Sequence, residues 1–390
     1  MTDAQMARRA TLLSGARRIV VKVGSGVITG ETYTDISDAV VGGIARQVAA
    51  LMREGRKVAV VSSGSVALGA RSLKVPRRGL SIPVKQAAAA VGQGSLISLW
   101  GRHLAAEGLQ VGQVLLTHDD LSDRRRFLNA RNTINTLIDF GFVPIINEND
   151  TVAVDEIKFG DNDTLSARVT NLVEADLLAI LSDVEGLYTA DPRRDPSARK
   201  IETVDHVTDD IRAVAGDSSS RTGMGGMASK VRAAEEAATF GAATIIIPGV
   251  RPGSLVEALA GAPLGTFFFP REDRLSSKHH WIEYTLKPRG LVVVDEGARR
   301  ALTAGGKSLL AKGVVEVRGE FEPGEAVEIA GPDGAVFAKG LVNYHSFDLE
   351  RIKGAHTSDI ERILGYKMND EAIHRDDMVF FTGARAASRP

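Results

Sequence analysis

Six short runs of the chain are apolar almost without interruption: Arg18–Val23, Lys57–Ser62, Val111–Leu116, Phe142–Asn147, Asp176–Leu181 and Ala243–Ile247. A strand with one face in water alternates polar and apolar residues. Continuous apolar runs belong to strands covered on both faces, as in a mostly parallel sheet. Helical stretches lie between them. Asp38–Glu54 is one; Leu165–Glu174 is another, with Leu165, Val169, Leu172 and Val173 at helical spacing. The fold class is therefore α/β, a three-layer α/β/α domain with a mostly parallel sheet.

The pattern changes near residue 271. Arg271–Arg289 is charged and irregular and reads as a linker. Beyond it the predicted strands are shorter and glycine-punctuated: Leu291–Val294, Gly313–Arg318, Ala326–Ile329 and Val336–Asn343. The expected division is a first domain over 1–272, a linker over 273–289, a small β-rich domain over 290–367 and a fraying tail over 368–390. Residues 1–16 read as a short polar extension. A chain of 390 residues has room for this.

Composition excludes several functions. Cysteine is absent, so disulfides, thiol nucleophiles and cysteine-ligated metals are excluded. The formal net charge is −1, which draws the chain to neither nucleic acid nor anionic membrane. Met1 to Ala10 holds no apolar signal core, and no run approaches the roughly 18 apolar residues of a membrane helix. The expected location is the cytoplasm.

In an open parallel sheet, ligands bind beyond the carboxyl ends of the strands. The first run ends in Lys22, Gly24, Ser25 and Gly26; the second in Ser62, Ser63, Gly64 and Ser65. The fourth runs into Asn147, Glu148, Asn149 and Asp150, and the fifth into Ser182 and Asp183. Acids and amides are costly to gather at the end of a buried strand unless something binds there. A small polar ligand carrying an amine fits that cluster. A second polar cluster, Gly160-Asp161-Asn162-Asp163-Thr164, follows and opens a helix.

The glycine-rich ends suit phosphate, because glycine lets backbone N–H groups approach anionic oxygens. Gly223-Met224-Gly225-Gly226-Met227-Ala228-Ser229-Lys230 precedes a helix predicted over Ser229–Phe240. A cation in a first helical turn opposes the macrodipole unless both face an anion. A solvated lysine after a flexible loop is the other reading. Lys22, on a central strand, calls for either a buried ion-pair partner or a phosphate.

Other resemblances fail on spacing. Gly24-Ser25-Gly26 lacks the third glycine of a dinucleotide fingerprint, since position 29 is Thr. Gly305-Gly306-Lys307-Ser308 lacks the first glycine of a P-loop, since position 301 is Ala. His374-Arg375-Asp376 lacks the downstream Asn of a protein-kinase catalytic loop. The histidines form no metal-binding pair, and His279-His280 reads as solvated linker. Arg124-Arg125-Arg126 and Arg193-Arg194 read as exposed.

Two lysines, two glycine-rich loops and an acid/amide cluster, with no evident general base, match phosphoryl transfer. A carboxylate acceptor needs no base, since its ordinary pKa is about 4.3. At this point the chain resembles the amino acid kinase family. The motifs are Val21-Lys22-Val23-Gly24-Ser25, Ser62-Ser63-Gly64-Ser65, Ile146-Asn147-Glu148-Asn149-Asp150, Gly160-Asp161-Asn162-Asp163, Asp183–Pro192 and Gly225–Lys230. The C-terminal part resembles a PUA domain.

The resemblance implies ATP-dependent phosphorylation of the γ-carboxylate of L-glutamate, the first step of proline synthesis. It implies that Lys22 and Lys230 stabilise the transferring phosphoryl group and that Asp163 holds them in register. Ser63, Gly64, Asn147, Asp150 and Asn162 would bind glutamate, with Asp150 facing its ammonium. Lys22, Gly24, Ser182, Asp183, Met224, Gly225, Gly226, Met227, Ala228, Ser229 and Lys230 would hold ATP. Mg²⁺ would be held mainly by phosphate oxygens, without a dedicated protein metal site. Feedback inhibition by proline and a homotetramer are further implications. Three positions depart from the usual pattern: Ser182 replaces Thr, Ser25-Gly26 replaces Thr-Ser, and Met224 replaces Thr.

Two competing readings remain. One is a related kinase acting on N-acetylglutamate, aspartate, carbamate or UMP; an ammonium partner at Asp150 disfavours an N-acylated substrate. The other is an RNA-binding or regulatory protein on a relic kinase fold. Residues 290–390 hold 13 Lys and Arg against 16 Asp and Glu, net −3, while the rest of the chain holds 35 and 33, net +2. An acidic module lacks the usual footprint for RNA, so a structural or regulatory role ranks above RNA binding.

Overall fold

The structure is a computed structural model. It describes all residues except 1, 30–35, 76–79, 153–161, 193, 217–225, 272–281, 283–285 and 386–390. Contacts divide the chain into two compact units, Met1–Ser122 with Ala130–Glu272, and Asp123–Asn129 with Asp273–Pro390.

The first half of the chain runs α1 (Asp3–Gly15), β1 (Arg18–Val23), α2 (Ser25–Thr29), α3 (Asp38–Arg53), β2 (Lys57–Ser62), α4 (Ser65–Ser72), α5 (Ile82–Ala105), β3 (Val111–Leu116), α6 (His118–Ser122), α7 (Arg124–Asp139) and β4 (Val143–Glu148). It continues with α8 (Asn162–Leu172), β5 (Leu177–Ser182), β6 (Thr203–Val204), α9 (Asp209–Gly216), α10 (Met227–Thr239), β7 (Ala243–Pro248), α11 (Ser254–Leu259) and β8 (Thr266–Phe268). The eight strands form one sheet in the order β3-β4-β2-β1-β5-β7-β8-β6. All the pairings from β3 through β7 are parallel, and β8 runs antiparallel to β7.

Strand alternation divides the interior. Val21 and Val23 of β1, Val60 of β2 and Ile145 of β4 pack with Ile44 of α3 and Leu96 and Trp100 of α5 in one core cluster. Ser62 and Asn147 share the parity of Val60 and Ile145, so they face the α5 layer. Lys22 has the opposite parity and faces the layer of α8 and α10. Register places Lys22 between Val61 of β2 and Ile180 of β5, in the middle of the sheet.

Helices α4 and α5 meet backbone to backbone. A Cβ on Gly69 would lie 1.6 Å from the Ala88 carbonyl oxygen, and one on Gly92 only 1.8 Å from that of Ser65. No side chain fits either place.

The second unit contributes β9 (Gly290–Val294), α12 (Glu296–Thr303), β10 (Val314–Gly319), β11 (Ala326–Ala330), β12 (Val336–Leu341), α13 (Ser346–Ile352), α14 (Ile360–Leu364) and β13 (Met378–Arg385). Its sheet order is β10-β9-β11-β12-β13.

Three terminal or linking stretches differ from expectation. The N-terminal extension is helix α1, opened by a Thr2–Gln5 capping box. Leu13 is buried, and the buried Arg9 guanidinium donates to the carbonyls of Ala262 (3.0 Å) and Leu264 (2.7 Å). Its polar composition concealed these two anchors. The tail expected to fray from Met368 instead supplies β13, antiparallel to β12, with Met378 and Val379 buried. Met378-Val379-Phe380-Phe381 is an apolar run that outweighs the small polar residues after it. Within the expected linker, Ile282 is fully buried and packs with Ala326, Leu341 and Val379, with Leu286 against them.

Gly92→Ala is expected to destabilise the fold by about 1–3 kcal/mol, since the opposing atom is backbone and cannot rotate away. A urea midpoint shift at unchanged slope checks this.

Candidate active site

Asp163, in the first turn of α8, is fully buried between two lysines. Its Oδ1 lies 2.5 Å from Lys22 Nζ on β1, and its Oδ2 lies 3.3 Å from Lys230 Nζ on α10. Lys22 is 4% exposed and Lys230 6% exposed. The Ser229 hydroxyl lies 2.6 Å from Asp163 Oδ2 and 2.8 Å from the Gly226 carbonyl. Burial alone raises the Asp163 pKa, but Lys22 and Lys230 outweigh it and hold the carboxyl well below the usual range. The three groups together carry one excess positive charge in a region poor in water. That arrangement suits an anion.

The N-cap of helix α10 is Gly226, which gives it no side-chain cap. Its first-turn N–H groups and Lys230 lie at the same end, as expected for phosphate. Gly24 sits beside Lys22, and a Cβ there would lie 3.5 Å from Lys22 Nζ. A Cβ on Gly26 would lie 3.3 Å from Asp183 Oδ2, so the Gly found at this position leaves room for that carboxylate. Ser182 is buried and donates to Asp183 Oδ1 at 3.2 Å; Asp183 is exposed. Met227 and Ala228 lie in the first turn of α10. Met224 and Gly225 lie outside the described residues, as do Gly160 and Asp161.

The acceptor candidates form a second cluster directly beside the first. Asn162 immediately precedes Asp163 on α8. Its Nδ2 donates to Ser63 Oγ at 2.7 Å and to Asn147 Oδ1 at 3.2 Å. Asn147, near the end of β4 and 1% exposed, donates through Nδ2 to Gln93 Oε1 at 2.8 Å and to Ser65 Oγ at 3.3 Å. Gly64 takes φ +119°, and a Cβ there would meet Ile28 Cδ1 at 2.5 Å. The positive φ favours glycine at this turn, while the Ile28 side chain could rotate away. Asp150 follows β4 and is half-buried.

Two residues of α5 were not anticipated. Gln93 supports Asn147, and the Trp100 indole donates to Ser62 Oγ at 2.9 Å. They lie seven residues apart and share a helical face. Only the polar side chain in Ala90-Val91-Gly92-Gln93-Gly94 hinted at this.

The other sequence features lie elsewhere. Arg125 and Arg126 are exposed; Arg194 is exposed and 3.9 Å from Asp191. Arg193 and His279-His280 lie outside the described residues. Among the described residues, no group of three or more His, Cys, Asp or Glu could hold a metal ion. None of their helices is long and apolar enough to cross a membrane.

A buried carboxylate thus locks two lysines at the rim of a parallel sheet, next to an amide cluster. The chain belongs to the amino acid kinase family, whose pattern matches residues 17–248. The PUA domain pattern matches residues 290–364. Glutamate 5-kinase of Syntrophotalea carbinolica is 51% identical over 371 residues, covering 95% of this chain and 99% of that protein. Glutamate 5-kinase of Geobacter sulfurreducens is 50% identical over 372 residues, with the same two shares. That of Meiothermus ruber is 52% identical over 360 residues, covering 92% of this chain and 94% of the relative.

Asp163→Asn is expected to cost about 3–5 kcal/mol of stability at pH 7, because it leaves two buried ammonium groups without their carboxylate. The folded-state pKa is depressed, so this contribution is complete above the unfolded value, about 3.9, and fades as pH falls toward the folded one. Urea denaturation of both proteins should therefore show a gap that is widest near neutrality and narrows below about pH 4.

Proposed function

We infer that this protein transfers the γ-phosphoryl group of ATP to the γ-carboxylate of L-glutamate, giving L-glutamyl 5-phosphate for proline synthesis. The observation that carries this reading is the adjacency of Asn162 and Asp163. One residue ties into the amide cluster and the next holds both lysines. Family membership and near-full-length relatives named glutamate 5-kinase support it.

In the proposed mechanism a γ-carboxylate oxygen of glutamate attacks the γ-phosphorus. A new O–P bond forms as the bond to the β–γ bridging oxygen breaks, and ADP leaves with that electron pair. The carboxylate is ionised at neutral pH, so no proton has to be removed. Lys22 and Lys230 neutralise charge on the transferring group and the leaving oxygen. Asp163 keeps their ammonium groups apart and oriented. Gly24, Ser182, Asp183, Gly226, Met227, Ala228 and Ser229 border the nucleotide; Met224 and Gly225 join this proposal from the sequence alone. Ser63, Gly64, Asn147, Asp150 and Asn162 border glutamate, and Asp150 pairs with its ammonium. Mg²⁺ would be held mainly by phosphate oxygens and would shield their charge.

Proline carries the same α-carboxylate and a cationic amine, so inhibition at or near the glutamate site belongs to this reading. A cytoplasmic location and a homotetramer are part of the proposal on the family resemblance.

ADP release with Mg-ATP, and trapping of the acyl phosphate with hydroxylamine, test the reaction against glutamate, N-acetylglutamate, aspartate and UMP. Glutamate-dependent ADP release with hydroxamate formation is the expected result; activity only on another acceptor would overturn the substrate assignment. Lys230→Ala is expected to lower kcat about 10²–10³-fold, the scale of losing one transition-state donor. Asp150→Ala is expected to raise the glutamate KM about 10-fold or more while leaving the ATP KM unchanged, as loss of one charged contact predicts.

A further inference from the structure

We propose that Gln93 is a positioning residue that sets the polarity of the amide chain facing the acceptor's ammonium. The inference rests on the reading of this site as one for an amine-bearing dicarboxylate. Gln93 follows Gly92, where a Cβ would lie 1.8 Å from the Ser65 carbonyl and 2.6 Å from Gly69 N. This backbone contact between α4 and α5 brings Gln93 to 2.8 Å from Asn147 Nδ2.

Each amide then orients the next. Both Nδ2 hydrogens of Asn147 are engaged, one by Gln93 Oε1 and one by Ser65 Oγ. Asn147 Oδ1 therefore points the other way and accepts from Asn162 Nδ2. The remaining Nδ2 hydrogen of Asn162 goes to Ser63 Oγ. Asn162 Oδ1 is left buried with no hydrogen-bond partner among the described residues. An ammonium has donors only, so an unpaired carbonyl oxygen is the complementary group. Were Asn147 to flip, its Nδ2 would meet the Nδ2 of Asn162. Asn162 would have to turn as well, presenting N–H groups to the ammonium in place of an acceptor.

Gln93 is satisfied on one side only. Its Nε2 is buried without a partner among the described residues, which costs free energy. An apolar residue would remove that cost but leave a buried Asn147 Nδ2 hydrogen unpaired. The acceptor oxygen of Gln93 is what the amide chain uses.

The test compares L-glutamate with glutarate, which has the same two carboxylates and no ammonium. Glutarate is measured as a competitive inhibitor, so it need not turn over. In Gln93→Met the glutamate KM is expected to rise about tenfold while the glutarate Ki and the ATP KM stay within about twofold, the size of one hydrogen bond to a charged group. In Gln93→Glu the side chain keeps an acceptor of the same length, so the ratio of glutarate Ki to glutamate KM should not fall. Equal changes for both ligands in Gln93→Met would mean general loss of packing and would overturn the proposal. So would an unchanged ratio in Gln93→Met, or a fall in Gln93→Glu. If Gln93→Met does not fold, the Gln93→Glu ratio decides alone. A wild-type protein silent on glutamate would overturn the functional reading itself, and this inference with it; normal wild-type activity with the wrong Gln93 result overturns only the inference.

Discussion

The Lys22–Asp163–Lys230 ion triad is the constraint on which the rest of the site depends. Two ammonium groups at the buried rim of a sheet repel each other and lose hydration. One carboxylate, also buried, offsets both effects and fixes where each ammonium sits. Its neighbour Asn162 is about 100° around the same helix and reaches toward the α5 layer instead. A single helical turn thus ties the two lysines to the amide cluster. Neither group can move far without dragging the other, which suits a reaction whose catalysis is largely placement.

The two layers of the sheet divide the work. Lys22 faces α8 and α10, whereas Ser62 and Asn147 face α5. Strand alternation alone makes this assignment. The α5 side then needs polar support where the strands end, and Gln93 and Trp100 provide it seven residues apart. Gly69 and Gly92 allow α4 to lie against α5 closely enough for that support to reach. The glycines matter for their missing side chains; the backbone there is ordinary helix.

The parallel sheet was legible because its strands are apolar on both faces. β1, β2 and β3 have the ends expected from sequence, β4 and β5 shift by one residue, and β7 gains one residue at its end. The start of α8 was less legible. Apolar periodicity begins at Leu165, but the helix begins at Asn162, because its first turn is given over to polar groups that pair with Ser63, Asn147 and the two lysines. The candidate residues at the strand ends could be read from the rim of an open sheet. Gln93 could not, since a glutamine inside an alanine- and glycine-rich helix reads as a surface position until Asn147 is placed against it. Helix α1 and strand β13 were missed for a related reason: local polarity hid a few anchoring side chains such as Arg9, Leu13 and Met378.

Among the described residues the proposed site sets no dedicated base, and the proposed acceptor accounts for that. An alcohol must lose a proton as it attacks phosphorus, so a site for it sets a carboxylate or imidazole within hydrogen-bond reach. A carboxylate arrives already ionised. What it needs is relief from repulsion by a polyanionic phosphate chain, and buried ammonium groups supply that. Asp163 is engaged on both sides by lysine, and its depressed pKa makes it a poor proton acceptor at neutral pH. It serves as an electrostatic strut. The polar groups left over, the amides and hydroxyls around Asn147 and Asn162, can then be devoted to recognising the acceptor's other end. In the proposed mechanism, selectivity for an amine-bearing acid and catalysis of phosphoryl transfer would thereby fall to different side chains, joined at consecutive residues of one helix.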